Sequence, residues 1–369
     1  MALGFRQSGQ WVLDVGGSNI VALHIAGDPG SLKLRQYFDW PLPDGLVVDG
    51  EIVDGDLFAR ELKALVSQYK LRGRSVQVGV SNQKVIVRNI DMAEMTEEEL
   101  RGAIEFQAQD YIPIPVDEVV LDFQVVGKRV NPDGSARQEV LLVAAQRTMI
   151  STLLGALRQA GLKVAGIDVS SLALARALLP AASFLGETPD GGTCRGIADI
   201  SSSVSTLVVA VDGVLKFTRI INFSSDRFPR ALSEQRAIPY ADAQTMVQRL
   251  GLPGPLPADA EYYPEDVVAD THKRLGLEAS ELSDEIRRSF DYYQGQEHAP
   301  RVVDLILSGR GALVRNLDAH LSEALAIPVT LGNPLVHISQ NVSDVPDANL
   351  AFVAPSLAVS IGLALAGDE

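Results

Sequence analysis

Hydrophobic residues along the chain follow two spacings, one typical of β-strands and one typical of amphipathic helices. Residues 11–15 and 19–26 are apolar runs joined by a glycine turn, which predicts two strands. Residues 56–70 carry apolar side chains three and four positions apart, as on one face of a helix. Strand and helix patterns continue to alternate along the chain, and this alternation predicts an α/β protein.

Residues 84–167 contain a helix, two strands and a second helix, a pattern that predicts a subdomain of its own. Its first helix opens with Thr96 and Glu99, which have the spacing of a capping box. This helix is predicted to end before the Ile-Pro-Ile-Pro run at 112–115, because a residue that precedes proline disfavours the α conformation. The second helix closes at Gly161.

The opening hairpin has a counterpart in the second half of the chain. Residues 196–217 repeat the pattern of residues 11–34, and Asp199 aligns with Asp14. Both copies continue through a loop of small residues into an apolar strand and a second turn. Either two hairpins resemble each other by chance, or the chain contains two related lobes that each present an aspartate and a small-residue loop.

The chemistry of these loops allows two interpretations. Glycines in a hairpin turn supply a positive φ. Alternatively, they let backbone N–H groups approach a phosphate while hydroxyl and amide side chains add donors and the aspartates face a cation or water. Two such loops face to face would hold the phosphates of one nucleotide and its Mg²⁺ between them. The candidate residues are Asp14, Gly16, Gly17, Ser18, Asn19, Asp199, Ser201, Ser202 and Ser203.

A third glycine cluster follows the apolar run at 302–307. Ser308-Gly309-Arg310-Gly311-Ala312 separates this strand from a helical pattern. An ordinary strand-to-helix turn explains the glycines, and so does a backbone that lies against a flat ligand. In the second case the following helix N-terminus would favour an anion.

Composition narrows the class of protein. At 369 residues the chain exceeds the ~250–300 at which single cores stop growing, so two lobes are expected. The formal net charge of −15 argues against nucleic acid or an anionic membrane as the main partner. The single cysteine, Cys194, excludes an internal disulfide and fits a reducing cytoplasm. The apolar run at 356–366 is too short to span a bilayer and predicts a buried helix.

The duplicated hairpins, the Ser-Gly-Arg-Gly turn and the last apolar helix together resemble the actin-like ATPase superfamily. Within it, residues 45–65 and the segment from Val85 to Leu178 are similar to the type IV pilus assembly protein PilM family. The resemblance runs along nearly the whole chain. It implies a two-lobed actin-like ATPase fold of duplicated ribonuclease H-like domains, with the inserted subdomain that PilM shares with the cell-division protein FtsA.

The resemblance implies four parts of the chain. The first lobe consists of 1–87 and 165–195, and the insert is 88–164. The second lobe consists of 196–226 and 300–369, and its small subdomain is 227–299.

The resemblance also implies ATP or ADP with Mg²⁺ between the lobes, with Asp14 and Asp199 facing the ion through water. The phosphate loops fall on the residues named above, and the adenosine turn falls on Ser308 to Ala312, including Gly309, Arg310 and Gly311. Arg310 stands between these glycines where the family usually has another glycine, and Gln244 and Val247 stand where acid and lysine positions contact ribose and base.

Two further departures concern hydrolysis. Ser201 replaces a glycine of the second loop, and Ser170 stands where a carboxylate near the attacking water is frequent; Asp168 is close in sequence but in another register. Phosphoryl transfer needs an oriented water and neutralised charge. We therefore expect slow or no turnover, and a scaffold that has lost nucleotide binding remains an alternative.

The family resemblance implies a partner, the cytoplasmic N-terminal tail of a PilN-like inner-membrane protein. An apolar strand-forming run at a subdomain boundary offers a groove or sheet edge to an extended peptide. Because successive strand residues face opposite sides, the pattern does not decide which face binds. The candidates are Val85, Ile86, Val87, Arg88, Ile90 and Met92.

Three functions follow from these observations. The first is a cytoplasmic scaffold of a type IV pilus or related secretion machine, held at the inner face of the membrane through its partner and contacting other machine components. The second is a filament-forming ATPase like actin or FtsA, and the third is a sugar or acetate kinase. A kinase needs a polar substrate pocket, whereas the insert offers apolar strands, so the scaffold is favoured. Assembly into a homo-oligomer or ring is left open.

Overall fold

A computed structural model describes residues 9–28, 30–131, 133–179, 193–257 and 262–366. In chain order the strands are β1 (Gln10–Val15), β2 (Asn19–Ala26), β3 (Leu32–Pro41), β4 (Val47–Val48), β5 (Glu51–Ile52), β6 (Ser75–Val80), β7 (Val85–Ala93), β8 (Val119–Val130), β9 (Ala136–Gln146), β10 (Lys163–Val169), β11 (Cys194–Ile200), β12 (Ser205–Val211), β13 (Val214–Ile221), β14 (Asp304–Ser308), β15 (Val329–Leu331) and β16 (Ile338–Asn341). The α-helices are α1 (Gly55–Gln68), α2 (Glu97–Tyr111), α3 (Arg147–Gln159), α4 (Ser170–Leu178), α5 (Arg227–Arg236), α6 (Tyr240–Arg249), α7 (Glu265–Gln294), α8 (Leu317–Leu325), α9 (Asp347–Val353) and α10 (Ala358–Leu365).

Two sheets repeat one topology. The first has the order β10-β6-β1-β2-β3-β16 and the second β13-β12-β11-β14-β15. In each, a three-stranded antiparallel meander is extended beyond its first strand by two parallel strands. The first sheet has one more strand, β16, which pairs parallel with β3 at the opposite edge. The register also repeats, because Asp14 pairs with Val21 and Asp199 pairs with Thr206. The similarity of the two hairpins is therefore a duplication of lobes.

The insert is a three-stranded antiparallel sheet, in the order β7-β9-β8, covered on one face by α2. The Thr96 and Glu99 side chains form the predicted capping box, and α2 ends at Tyr111 before the proline run. The insert is shorter than the predicted 88–164. Helix α3 lies outside it, because the apolar face of α3 packs into the core of the first lobe beside α1.

The second lobe carries the long helix α7 and the shorter helices α5 and α6. Their buried side chains, among them Phe228, Val247 and Leu282, share one core with the second sheet. The segment predicted as a small subdomain, 227–299, is thus a helical layer on this sheet within the described residues.

The C-terminal segment departs from the predicted lobe boundary of 300–369. Strand β16 pairs with β3, and α10 packs against α4 and the first sheet, so the chain returns to the first lobe. The predicted buried helix is present as α10. The stretch Asp347–Leu365 is long and apolar enough to cross a membrane by length and composition, and 56% of that window is buried inside the protein, as in a core helix.

Candidate nucleotide cleft and peptide groove

The two small-residue loops meet face to face between the lobes. The amide N–H of Gly17 donates to Ser202 Oγ at 2.9 Å, and the amide of Ser18 lies 3.4 Å from the same oxygen. The Ser202 hydroxyl in turn donates to Asn19 Oδ1 at 3.3 Å. The backbone donors that suit an anion therefore face the second lobe, where they hold a hydroxyl oxygen of that lobe.

The glycines of the first loop allow the second loop to pack closely against them, and they do not provide an unusual backbone angle. Neither Gly16 nor Gly17 is among the residues with positive φ. A Cβ at Gly16 would lie 2.4 Å from Ser202 Oγ, and one at Gly17 would lie 2.4 Å from the Ser202 carbonyl oxygen. The tight-turn interpretation thus does not account for these two glycines, whereas contact between facing loops does.

Asp14 and Asp199 end the first strand of each lobe and lie near each other. Burial, with a smaller contribution from the charge of Asp199, raises the pKa of the Asp14 carboxyl to about 7. Burial raises the pKa of Asp199 to about 6, although a hydrogen bond with the Ser308 side chain opposes the rise. Two carboxyl groups with raised pKa values form a site where a bound cation would favour the ionised forms.

Side chains that the sequence analysis did not identify surround the loops. Asp39 accepts a hydrogen bond from Asn19 Nδ2 at 2.6 Å and from Arg310 at 2.9 Å across the cleft. Arg230 of the second lobe forms an ion pair with Asp44 of the first. No motif marks these carboxylates, because their roles depend on which parts of the two lobes meet.

A further acid, Asp226, lies against the first loop from the second lobe. It shares hydrogen bonds with the Ser18 and Tyr240 side chains, and burial raises its pKa. Gln244 follows Tyr240 by one turn of α6 and so lies on the same side of this helix. Val247, the neighbouring candidate position, is buried in the core of the second lobe.

The predicted adenosine turn packs directly on the second loop strand. Gly309 has a φ of +78°, and a Cβ there would lie 2.6 Å from the Ile200 carbonyl oxygen. A Cβ at Gly311 would lie 2.5 Å from Ile200 Cβ. This packing is sufficient to explain why both positions are glycine, whether or not a ligand binds there. The Arg310 side chain extends across the cleft and donates to Asp39.

Neither Ser170 nor Asp168, the two positions considered for orienting the attacking water, provides a free carboxylate. Ser170 is buried at the start of α4, with its hydroxyl beneath Gly79. Asp168 forms an ion pair with Arg176 at 2.6 Å. Asp168 is thus held in a structural contact at the edge of the first sheet.

A groove of about 750 Å³ lies between the insert and the two lobes. One wall is the start of β7 and another is the end of β13, with Pro113 and Ile114 of the insert between them. β7 and β13 are both edge strands, and each pairs with one neighbour only among the described residues. The groove therefore lies between two free sheet edges.

The predicted partner-binding residues divide between this groove and the protein core. Val85, Ile86, Val87 and Arg88 line the groove. Ile90 and Met92 are 3% and 4% exposed and pack under α2 in the core of the insert. A peptide in the groove would meet the first half of the strand only.

Two groove residues come from segments distant from β7 in sequence. They are Arg219 on β13 and Ser171 on α4. The guanidinium groups of Arg219 and of Arg88 on β7 have no hydrogen-bond or ion-pair partner within the described part of the chain, and Arg219 is half-buried. The Ser171 hydroxyl is buried and likewise has no partner there. Arg219 and Ser171 are single polar residues within a strand pattern and a helix pattern, so the sequence analysis did not identify them as groove residues.

Comparison with known proteins agrees with this architecture. The family model for the type IV pilus assembly protein PilM matches residues 12–368. A PilM–PilN type IV pilus biogenesis complex is 24% identical over 98% of this chain and 99% of that chain, with a TM-score of 0.76. MreB5 of Spiroplasma citri bound to ADP is 12% identical over 95% of this chain and 94% of that chain, with a TM-score of 0.53. Ethanolamine utilization protein EutJ from Carboxydothermus hydrogenoformans is 13% identical over 96% and 89%, with a TM-score of 0.50.

These likenesses confirm the predicted two-lobed actin-like ATPase fold. The match to the family model extends from the first strand, β1, through the C-terminal helix, α10, and so includes both lobes and the insert. The chain belongs to the type IV pilus assembly protein PilM family.

Proposed function

We propose that this protein is a cytoplasmic adaptor of a type IV pilus or related secretion machine. It binds the extended N-terminal tail of a PilN-like inner-membrane protein in the groove between β7 and β13. Mg²⁺ with ATP or ADP binds between the lobes as a conformational ligand. The observation that carries the proposal is the groove bounded by two unpaired sheet edges.

An extended peptide suits this groove for two reasons. Main-chain hydrogen bonds can form along a free strand edge, while side chains of the peptide enter apolar pockets. Ile86 and Ile114, which are half-buried, are apolar side chains of the groove that such a peptide could contact. The guanidinium groups of Arg88 and Arg219 add donors for peptide carbonyl oxygens, and the Ser171 hydroxyl adds one more polar contact.

The choice of partner rests on family membership and on the geometry together. The similar solved complex pairs PilM with PilN. A membrane protein with a short cytoplasmic tail presents an unfolded segment, and such a segment binds by adding a strand rather than by docking a folded surface. The adaptor would thereby reach the inner membrane without contacting lipid itself.

The cleft residues fit a magnesium nucleotide in their chemistry. The Gly17 and Ser18 amides are phosphate donors, Asp14 and Asp199 would face the ion through water, and the Gly309 turn lies beside the second loop. The nucleotide would supply negative charge and a divalent ion, which both loops would contact. With Ser170 buried and Asp168 paired to Arg176, this chain lacks a base at the expected position, so we expect binding with slow or no hydrolysis.

The test is peptide binding to the full chain, measured by fluorescence anisotropy with the labelled N-terminal segment of the PilN-like protein encoded by the same organism. Arg219→Glu and Arg88→Glu should each weaken binding about tenfold or more, since each loses a charged hydrogen-bond donor in a groove. Arg60→Glu, on the exposed face of α1, is the matched control and should leave affinity unchanged. Folded variants that all bind like the parent protein would place the peptide elsewhere.

A further inference from the structure

The proposed nucleotide cleft contains a chain of hydrogen bonds that crosses between the lobes twice. Ser202 of the second lobe accepts from the Gly17 and Ser18 amides and donates to Asn19. Asn19 donates to Asp39, which accepts from Arg310 of the second lobe. The chain thus begins at Ser202 and ends at Arg310, both in the second lobe, and passes through the first lobe.

Ser202 is the member of this hydrogen-bond chain that takes the position expected for an anion. A hydroxyl has one donor and two acceptor positions, and Ser202 uses all three on the first loop. The residue is 6% exposed, and its carbonyl oxygen accepts from Ser224 Oγ at 3.1 Å. The would-be Cβ positions of Gly16 and Gly17 lie 2.4 Å from Ser202 atoms, so no space separates the loops.

We propose that Ser202 is an internal ligand of the first phosphate loop, which a nucleotide must displace before the cleft can accept its phosphates. This inference rests on the nucleotide site proposed above. Its consequence is an adaptor whose lobes are held closed when nucleotide is scarce, with an affinity for nucleotide set by the strength of the hydrogen-bond chain. The Arg230–Asp44 ion pair at the rim adds to the closed state, but it does not touch the phosphate donors.

The first test is amide hydrogen exchange of the nucleotide-free full chain, read by mass spectrometry at single-residue resolution. In Ser202→Ala the Gly17 and Ser18 amides should exchange about tenfold faster, the factor that loss of one hydrogen bond produces. The Gly16 amide is an internal control, because it donates to the Asn19 carbonyl oxygen within the loop. Asp39→Ala should accelerate exchange of the Gly17 and Ser18 amides less, because it weakens the hydrogen-bond chain without removing the Ser202 hydroxyl.

Ser224→Ala is the matched control variant. It removes two hydrogen bonds of the same region, the one that Ser224 Oγ donates to the Ser202 carbonyl oxygen and the one that it accepts from the Asp226 amide, and it keeps the Ser202 hydroxyl in place. Its Gly17 and Ser18 amides should exchange at the parental rate. Parental exchange of these amides in Ser202→Ala, or equal acceleration in both serine variants, would overturn the proposal.

The second test is binding of Mg²⁺-ATP and Mg²⁺-ADP to the same variants by calorimetry. Ser202→Ala should bind nucleotide about tenfold more tightly than the parent chain, because the competitor is gone. Weaker binding would make Ser202 a direct ligand of the nucleotide and would overturn its role as a competitor. If exchange accelerates as expected and neither the parent chain nor any variant binds nucleotide, the contact of Ser202 with the first loop is supported and the proposed nucleotide site is wrong.

Discussion

At the scale of single residues, the raised pKa of Asp14 makes stability depend on pH. Its carboxyl titrates near 3.8 in an unfolded chain and at about 7 in the folded protein. The folded state therefore binds more protons between these values, so the free energy of unfolding falls as pH rises from about 4 to about 7. Asp14→Asn should remove part of this slope and stabilise the nucleotide-free protein at pH 8 by roughly 1–3 kcal/mol.

The measurement is urea unfolding at a series of pH values, with a chelator present and nucleotide absent. Glu234→Gln removes an exposed carboxylate on α5 and serves as the control. A pH slope that is the same in the parent chain and in Asp14→Asn would show that Asp14 does not resist ionisation in the folded state.

Ser170 and Asp168 determine the expected rate of hydrolysis. Neither supplies a free carboxylate at the predicted water position, so phosphate release with Mg²⁺-ATP should stay far below the ~10 s⁻¹ typical of enzymes. A coupled phosphate assay on the purified chain, with a boiled sample as background, measures this rate. A kcat near the enzyme median would mean that another residue orients the water.

Residue patterns predicted part of the cleft and missed the rest for a physical reason. Asp14 and the glycines that follow it end a strand in a recognisable way, and their counterpart at Asp199 repeats it. Asp39 and Asp226 carry no such signature, because each has a partner from the opposite lobe. Contacts of this kind depend on how two lobes close, which local sequence does not encode.

At the scale of elements, the contact between α4 and α10 depends on one glycine. A Cβ at Gly362 would lie 1.9 Å from the Ala173 carbonyl oxygen, which is backbone and cannot turn aside. Gly362→Ala should therefore destabilise the protein by about 2–3 kcal/mol or more, since the helices must separate. Gly155→Ala on α3 meets nothing within 4 Å and should be neutral or stabilising by up to about 1 kcal/mol.

Chemical denaturation of both alanine variants tests this comparison. Each variant replaces a helical glycine by alanine, so the change in helix propensity is the same in both. Equal unfolding midpoints for the two variants would contradict the close packing of α4 on α10. If Gly362→Ala is less stable but still binds the peptide, the substitution lowers stability without disrupting the groove.

Helices and strands with a long hydrophobic pattern could be predicted from the sequence, but the lobe to which each belongs could not always be predicted. The strands β1 and β2, the capped helix α2 and the buried helix α10 follow from spacing and caps within each segment. β16 has four residues and no apolar pattern, and it joins the first sheet only because the chain crosses back to β3. Helix α3 likewise follows the insert in sequence but buries its apolar face in the first lobe.

At the scale of the whole molecule, the groove and the cleft both involve the sheet of the second lobe. β13 lines the groove and continues the sheet whose β11–β12 turn holds Ser202. The insert is tied to this sheet by Asn89, which donates to the Leu215 carbonyl oxygen, and by the Lys216–Glu139 ion pair at 2.9 Å. A movement of the second lobe that opens the cleft must therefore change the distance between β7 and β13, or strain these contacts.

This geometry predicts that tail peptide and nucleotide affect each other's binding. Thermodynamic linkage requires the factor by which saturating peptide changes nucleotide affinity to equal the factor by which nucleotide changes peptide affinity. We expect a common factor of about 5 or more, in the range of typical couplings between sites. Glu139→Gln weakens the tie between insert and second lobe and should bring this factor closer to one, while Glu234→Gln should leave it unchanged. Calorimetric titration of each ligand in the presence of the other measures both factors, and a factor of one in the parent chain would mean that the two sites act independently.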